Sequence, residues 1–118
     1  MRASPLLPAA GLIGAVGVAG AAYAAHGGDP RLVGTAAAIC LVHAPALLAV
    51  GLSGPHSRAL GLAAAAWVLG VLLFSGDLLV RALLAPPEMI ATAPFGGSLL
   101  ILGWLCAGFA GFRLGRRR

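Results

Sequence analysis

Residues 59–84 read ALGLAAAAWVLGVLLFSGDLLVRALL, an apolar run whose only strongly polar members are Ser75, Asp77 and Arg81. An α-helix rises about 1.5 Å per residue and needs about 20 apolar residues to cross a hydrocarbon core of about 30 Å, so this run is long enough to span a bilayer. Asp77 is one of three carboxylates in 118 residues, and it sits within that run. Ionisable groups at bilayer depth cost roughly 2.5–3.5 kcal/mol even on insertion scales, and they face protein or a water-filled cavity. The stretch therefore predicts both a membrane helix and a polar site.

Three further runs have the same character. The expected spans are 6–25, 32–52, 59–84 and 94–112, separated by HGGDPR, SGPHSR and APPEMIATA. Connectors this short join antiparallel neighbours and leave no room for a second domain, so the predicted fold is all-α, a single integral-membrane four-helix bundle. Barrel strands alternate in polarity and are only about 10 residues long, which the unbroken runs exclude. Composition agrees: 60% of the chain is hydrophobic and 9% charged, against roughly 45–50% and about 25% in soluble domains.

The net charge of +5 comes from arginine alone. Four spans place Arg2, Arg58, Arg113, Arg116, Arg117 and Arg118 at one side, and Arg31 and Arg81, with Asp29 and Glu88, at the other. The positive-inside rule then predicts cytoplasmic N- and C-termini, with 113–118 as a basic tail. Following an apolar helix directly, that tail reads as a topology signal and an anchor to anionic headgroups rather than a nucleic-acid contact. The expected partners are the lipid bilayer and, beyond it, a second copy or another membrane protein.

In the first span Gly11, Gly14, Gly17 and Gly20 recur every three residues, and Gly96 and Gly97 open the fourth. The hydrophobic effect does not pull helices together in lipid, and small residues let backbones approach, so these are predicted helix-packing positions. Arg2, the apolar stretch and Ala22-Tyr23-Ala24 also resemble a leader with a cleavage site, but the stretch is longer than the 7 to 15 apolar residues usual for one, which favours a retained helix. Cys40 and Cys106 are expected at different depths, roughly 12 and 18 Å from the outer ends of their spans, so a disulfide is not expected.

The candidate polar pocket comprises His26, Thr35, His43, Asp77 and Arg81. Asp77 and Arg81 are four apart on one helix face and can pair. His43 lies near the middle of its span, two residues before Pro45, whose ring frees the carbonyl of Leu41. Two readings stand: an ion pair that fixes helix depth beside a structural histidine, or an outward-opening pocket in which His43 and Asp77 meet to bind a small solute, headgroup or proton. Ser75, His43 and Asp77 are the residue types of a nucleophilic triad. Positions two apart diverge by about 200° on a helix, so Ser75 and Asp77 cannot both reach one imidazole. Ser75 with Gly76 reads instead as a close-packed step. His26, His43 and His56 fall at different depths, so no metal site is predicted. No cofactor motif is present, and no enzyme is predicted.

AAYAAH (21–26), His43, LLFSGDL (72–78), and APFGG (93–97) followed by Gly103-Trp104, in that order on the four spans, resemble the domain of unknown function 423 family of small membrane proteins, which includes transmembrane protein 256. The resemblance covers nearly the whole chain. It implies a four-helix inner-membrane protein and carries over no activity. The family usually has an aromatic and an amide one turn before the second-span histidine, where this chain has Ile39 and Cys40, and Pro45 is not typical.

Overall fold

The computed structural model describes residues 4–27, 30–53 and 57–116. Four helices follow one another: α1 (Leu6–His26), α2 (Pro30–Leu52), α3 (Arg58–Leu84) and α4 (Ala93–Arg116). All four are long and apolar enough to cross a membrane. Asp29, His56, Arg2, Arg117 and Arg118 lie outside the described residues.

Local chemistry explains the boundaries. Pro30 opens α2, where its missing N–H is one of the donors that has no intrahelical partner in any case. Ser57 caps α3, its hydroxyl accepting from the Leu60 amide at 3.2 Å. The end of α4 differs from the expected 112, because the helix runs four residues further, to Arg116. The guanidinium of Arg113 lies 5.8 Å from the Phe109 ring centroid and that of Arg116 lies 5.5 Å from Phe112, so both arginines pack back along the helix one turn earlier. Cations there also suit the negative end of the helix dipole.

The helices are antiparallel neighbours, α1 on α2, α2 on α3 and α3 on α4. The register shows it. Gly14 faces Ala44, Gly17 faces Cys40 and Leu41, and Gly20 faces Ala37, while Gly70 faces Gly96 and Leu100 and Gly103 faces Trp67. A shared core joins Ala10 and Ile13 of α1 with Cys40, Ala44, Leu47 and Val50 of α2, Ala63, Ala64, Trp67 and Val71 of α3, and Leu100 of α4. The large apolar side chains left outside, such as Leu12, Leu72, Leu105 and Phe112, form the lipid-facing surface.

The expected glycine surface is divided in the structure. Gly14, Gly17 and Gly20 are consumed by α2 within the same chain, but nothing lies within 4 Å of the position a Gly11 side chain would take. Residues three apart advance about 300° around a helix, so the row winds off the contact face and Gly11 points away. The tightest approach is at Gly96, where a Cβ would stand 2.5 Å from the Phe74 amide nitrogen and 2.8 Å from the Gly70 carbonyl oxygen. Gly97 has the Phe74 ring at 3.7 Å, an ordinary contact. Gly76, expected to be close-packed, meets nothing within 4 Å.

Because the atoms facing Gly96 belong to backbone that cannot rotate away, Gly96→Ala should destabilise the bundle by about 1–3 kcal/mol. Gly11→Ala should be neutral or stabilise by roughly 0.5–1 kcal/mol through helix propensity. Unfolding by denaturing detergent in mixed micelles measures both, and equal responses would contradict this packing.

Candidate functional site

The polar side chains of the spans form two separate groups. The first is built on Asp77, whose side chain is 1% exposed. Its Oδ1 accepts from Nε of Arg81 one turn later on α3. Its Oδ2 accepts two backbone amides of the next element, Thr92 at 3.0 Å and Ala93 at 2.7 Å. Ala93 is the first residue of α4, so a carboxylate from α3 caps α4.

The sequence around Thr92 shows why. Thr92 stands where an N-cap residue belongs, but its hydroxyl donates to the Leu73 carbonyl at 2.8 Å, which ties the loop to α3. The first turn of α4 consequently needs an acceptor from elsewhere. Pro94, next in line, has no N–H to satisfy. Asp77 supplies the acceptor and adds negative charge at the positive end of the α4 dipole. Arg81 neutralises that charge locally and reaches the Met89 carbonyl at 3.5 Å, holding the other side of the same loop.

The second group surrounds His43, which is 3% exposed in α2. The Trp104 indole Nε1–H donates to His43 Nε2 at 3.0 Å. An indole N–H only donates, so Nε2 is the bare nitrogen and the ring proton is on Nδ1. That Nδ1–H donates to the Ile39 carbonyl at 2.7 Å, within α2, and not to the Leu41 carbonyl that Pro45 leaves open. Trp67 of α3 closes the cluster, with its ring centroid 4.5 Å from Trp104 and 6.3 Å from His43. The cluster fits because residue 103 is glycine, where a Cβ would stand 2.7 Å from Trp67 Cδ1. Trp67 Nε1 is buried and has no hydrogen-bond partner among the described residues.

The two groups do not converge. Trp67, against which His43 packs, precedes Asp77 by ten residues, or about 15 Å along α3. Of the five residues expected to share a pocket, only Asp77 and Arg81 meet. Thr35 is exposed and donates to Arg31 O at 2.7 Å, and exposed His26 bonds Ala22 O at 2.8 Å, each within its own helix. The open groove between α1 and α3, about 190 Å³, is lined by apolar residues with Cys40 and Ser75, and by none of the five. Ser75 is a tie between helices rather than a step in one, donating to Ala36 O of α2 at 2.9 Å. Cys40 and Cys106 are free thiols, and Cys106 Sγ donates to Ala59 O at 3.1 Å. Among the described residues no three His, Cys, Asp or Glu side chains gather as metal ligands.

Sequence reading missed the cap on α4 and the role of both tryptophans. The signal for the tryptophans was present in general form, since an indole N–H inside a bilayer seeks an acceptor and His43 is the polar side chain near mid-span. The cap had no such signal, because Asp77 and Ala93 are far apart in sequence.

The division of labour between the two oxygens of Asp77 makes a coupling test possible. In Asp77→Asn the amide oxygen can keep both α4 amides, but its NH₂ then faces the Arg81 donor. Asp77→Asn should therefore be more destabilising alone than combined with Arg81→Leu, an interaction of about 0.5–3 kcal/mol. Asp77→Ala with Arg81→Leu, which also removes the cap, should cost about 1–3 kcal/mol more than the Asn double variant. Detergent unfolding of Asp77→Asn, Arg81→Leu and the two double variants reads this directly, and simple additivity would sink the assignment.

Comparison with known proteins agrees with this architecture. Residues 20–97 match the family described as protein of unknown function (DUF423). A UPF0382 membrane protein of Haemophilus influenzae is 33% identical over 104 residues, covering 81% of this chain and 84% of the relative. No solved structure matches. The matched segment runs from Gly20 near the end of α1 to Gly97 in the first turns of α4, and so includes His43, Trp67, Asp77, Arg81 and the capped start of α4; the chain belongs to the DUF423 family of membrane proteins.

Proposed function

We propose that this protein is a non-enzymatic inner-membrane bundle that works by packing against itself or against another membrane protein. One observation carries the reading. Among the described residues, the His, Thr, Ser and Asp side chains of the four helices all have hydrogen-bond partners inside the chain. Catalysis needs a nucleophile and a base converging on open space. Here Ser75, His43 and Asp77 are each committed to a different structural bond.

What the chain leaves uncommitted is its outer surface. Gly11 on α1 and Gly108 and Gly111 on α4 have no neighbour within 4 Å. They interrupt faces that carry Leu12, Ile101, Leu105 and Phe112, all more than half exposed. Helices meet in lipid where small residues let backbones approach, and these gaps are the places where a further helix fits. The arginine distribution supports cytoplasmic termini in a bacterial inner membrane.

A photo-crosslinking amino acid at Leu12 or Leu105 should give one discrete adduct, either a dimer of this chain or a complex with a single partner, and Gly11→Leu or Gly108→Leu should abolish it. Absence of any discrete adduct from both positions, with a monomeric count by single-molecule photobleaching, would refute the proposal.

A further inference from the structure

At the end of the bundle opposite Asp77, the start of α3 and the last turns of α4 frame an open recess of about 200 Å³. Arg58 and Arg113 line it, with Ser57, Phe109, Ala110 and Leu114. A second hollow of about 370 Å³ adjoins it through Phe109 and Arg113, and is completed by Phe112 and Arg116. Two helices thus bring cationic side chains to one recess whose walls are otherwise apolar.

The charge of this recess is not balanced by nearby acids. The carboxylate side chains among the described residues are Asp77 and Glu88, and Asp77 is already paired with Arg81. Asp77 is nineteen residues from Arg58, about 28 Å along α3, and Glu88 lies beyond it in the α3–α4 connector. The third carboxylate of the sequence, Asp29, belongs to the connector that follows α1. The Arg113 guanidinium lies 5.8 Å from the Phe109 ring centroid, which places the charge beside the apolar wall of the recess. Phe109 and Leu114 are 54% and 49% exposed, so the apolar wall of the recess continues onto the lipid-facing surface.

We propose that this recess is a binding site for the phosphate of an anionic membrane phospholipid, held between Arg58 and Arg113 with its acyl chains along Phe109 and Leu114. A guanidinium presents planar paired donors that match phosphate oxygens, and two from different helices define a position rather than a diffuse attraction. The apolar wall distinguishes a lipid from a soluble anion, since it offers contact only to a ligand that carries hydrocarbon. The site depends on the membrane setting of the chain; it shares Phe112 with the outer face of α4 offered to a partner, but Arg58 and Arg113, which the test alters, belong to the recess alone.

The test uses the full chain in nanodiscs of phosphatidylcholine with or without phosphatidylglycerol, and counts phosphatidylglycerol retained after transfer to detergent by native mass spectrometry. Wild type should retain it, and Arg58→Gln and Arg113→Gln should each lower retention by more than about tenfold. Removing one charge from a diffuse basic surface lowers affinity only about fivefold. Arg118→Gln should leave retention within that smaller range, and Arg58→Lys, which keeps the charge but loses the planar paired donors, should recover only part of what Arg58→Gln loses, with native tryptophan fluorescence confirming folding in each variant. An equal loss in Arg118→Gln and Arg58→Gln would overturn the site in favour of a diffuse surface. Inorganic phosphate should neither stabilise the protein against heat in the phosphatidylcholine nanodiscs nor displace phosphatidylglycerol in the mixed ones. If it does both, the site takes a soluble anion and the lipid assignment falls.

Discussion

The bond between the Asp77 carboxylate and the first amides of α4 is the interaction on which the arrangement of the second half of the chain depends. The first amides of a helix have no intrahelical partner, and where they turn toward protein they must find acceptors there. Asp77 supplies one acceptor oxygen to two amides and offers the other to Arg81. One side chain thereby fixes where α4 begins, how the connector folds back and how α3 and α4 are offset. The close approach at Gly70 and Gly96 follows from that offset, one turn into α4.

The His43 cluster plays the corresponding part near mid-membrane. Sequence neighbours pack through small residues and close contact, which sets distance but specifies register weakly. The Trp104–His43 hydrogen bond is directional and joins α2 to α4, helices that the connectors do not place side by side. Ser75 adds a second directional tie, from α3 to α2. Such bonds in membrane proteins are modest individually, on the order of 0.6 kcal/mol on average, so their main effect is to select one packing among several of similar energy. Trp67 shows the limit of this economy: its ring fills the space over Gly103 while its N–H remains without an acceptor among the described residues.

These constraints divide the polar residues by location. Those at membrane depth are occupied in holding helices, and the unbalanced charge is gathered at the end where α3 starts and α4 finishes. The surfaces open to interaction are accordingly the apolar outer faces and the arginine-lined recess. The centre of the bundle is filled by its own bonds.

The four spans, their order and the segregation of arginine were legible in the sequence, because length, hydropathy and charge act on each segment independently of its neighbours. The i,i+4 pairing of Asp77 with Arg81 was legible for the same reason, being a property of one helix. Which side chains meet across helices was decided only by the tertiary structure. Helix rotation and offset determine that Gly17 faces Cys40 while Gly11 faces outward, that His43 meets Trp67 and Trp104 instead of Asp77, and that Asp77 reaches the start of α4. A helical period establishes which residues share a face, and it leaves undetermined which neighbour that face will meet.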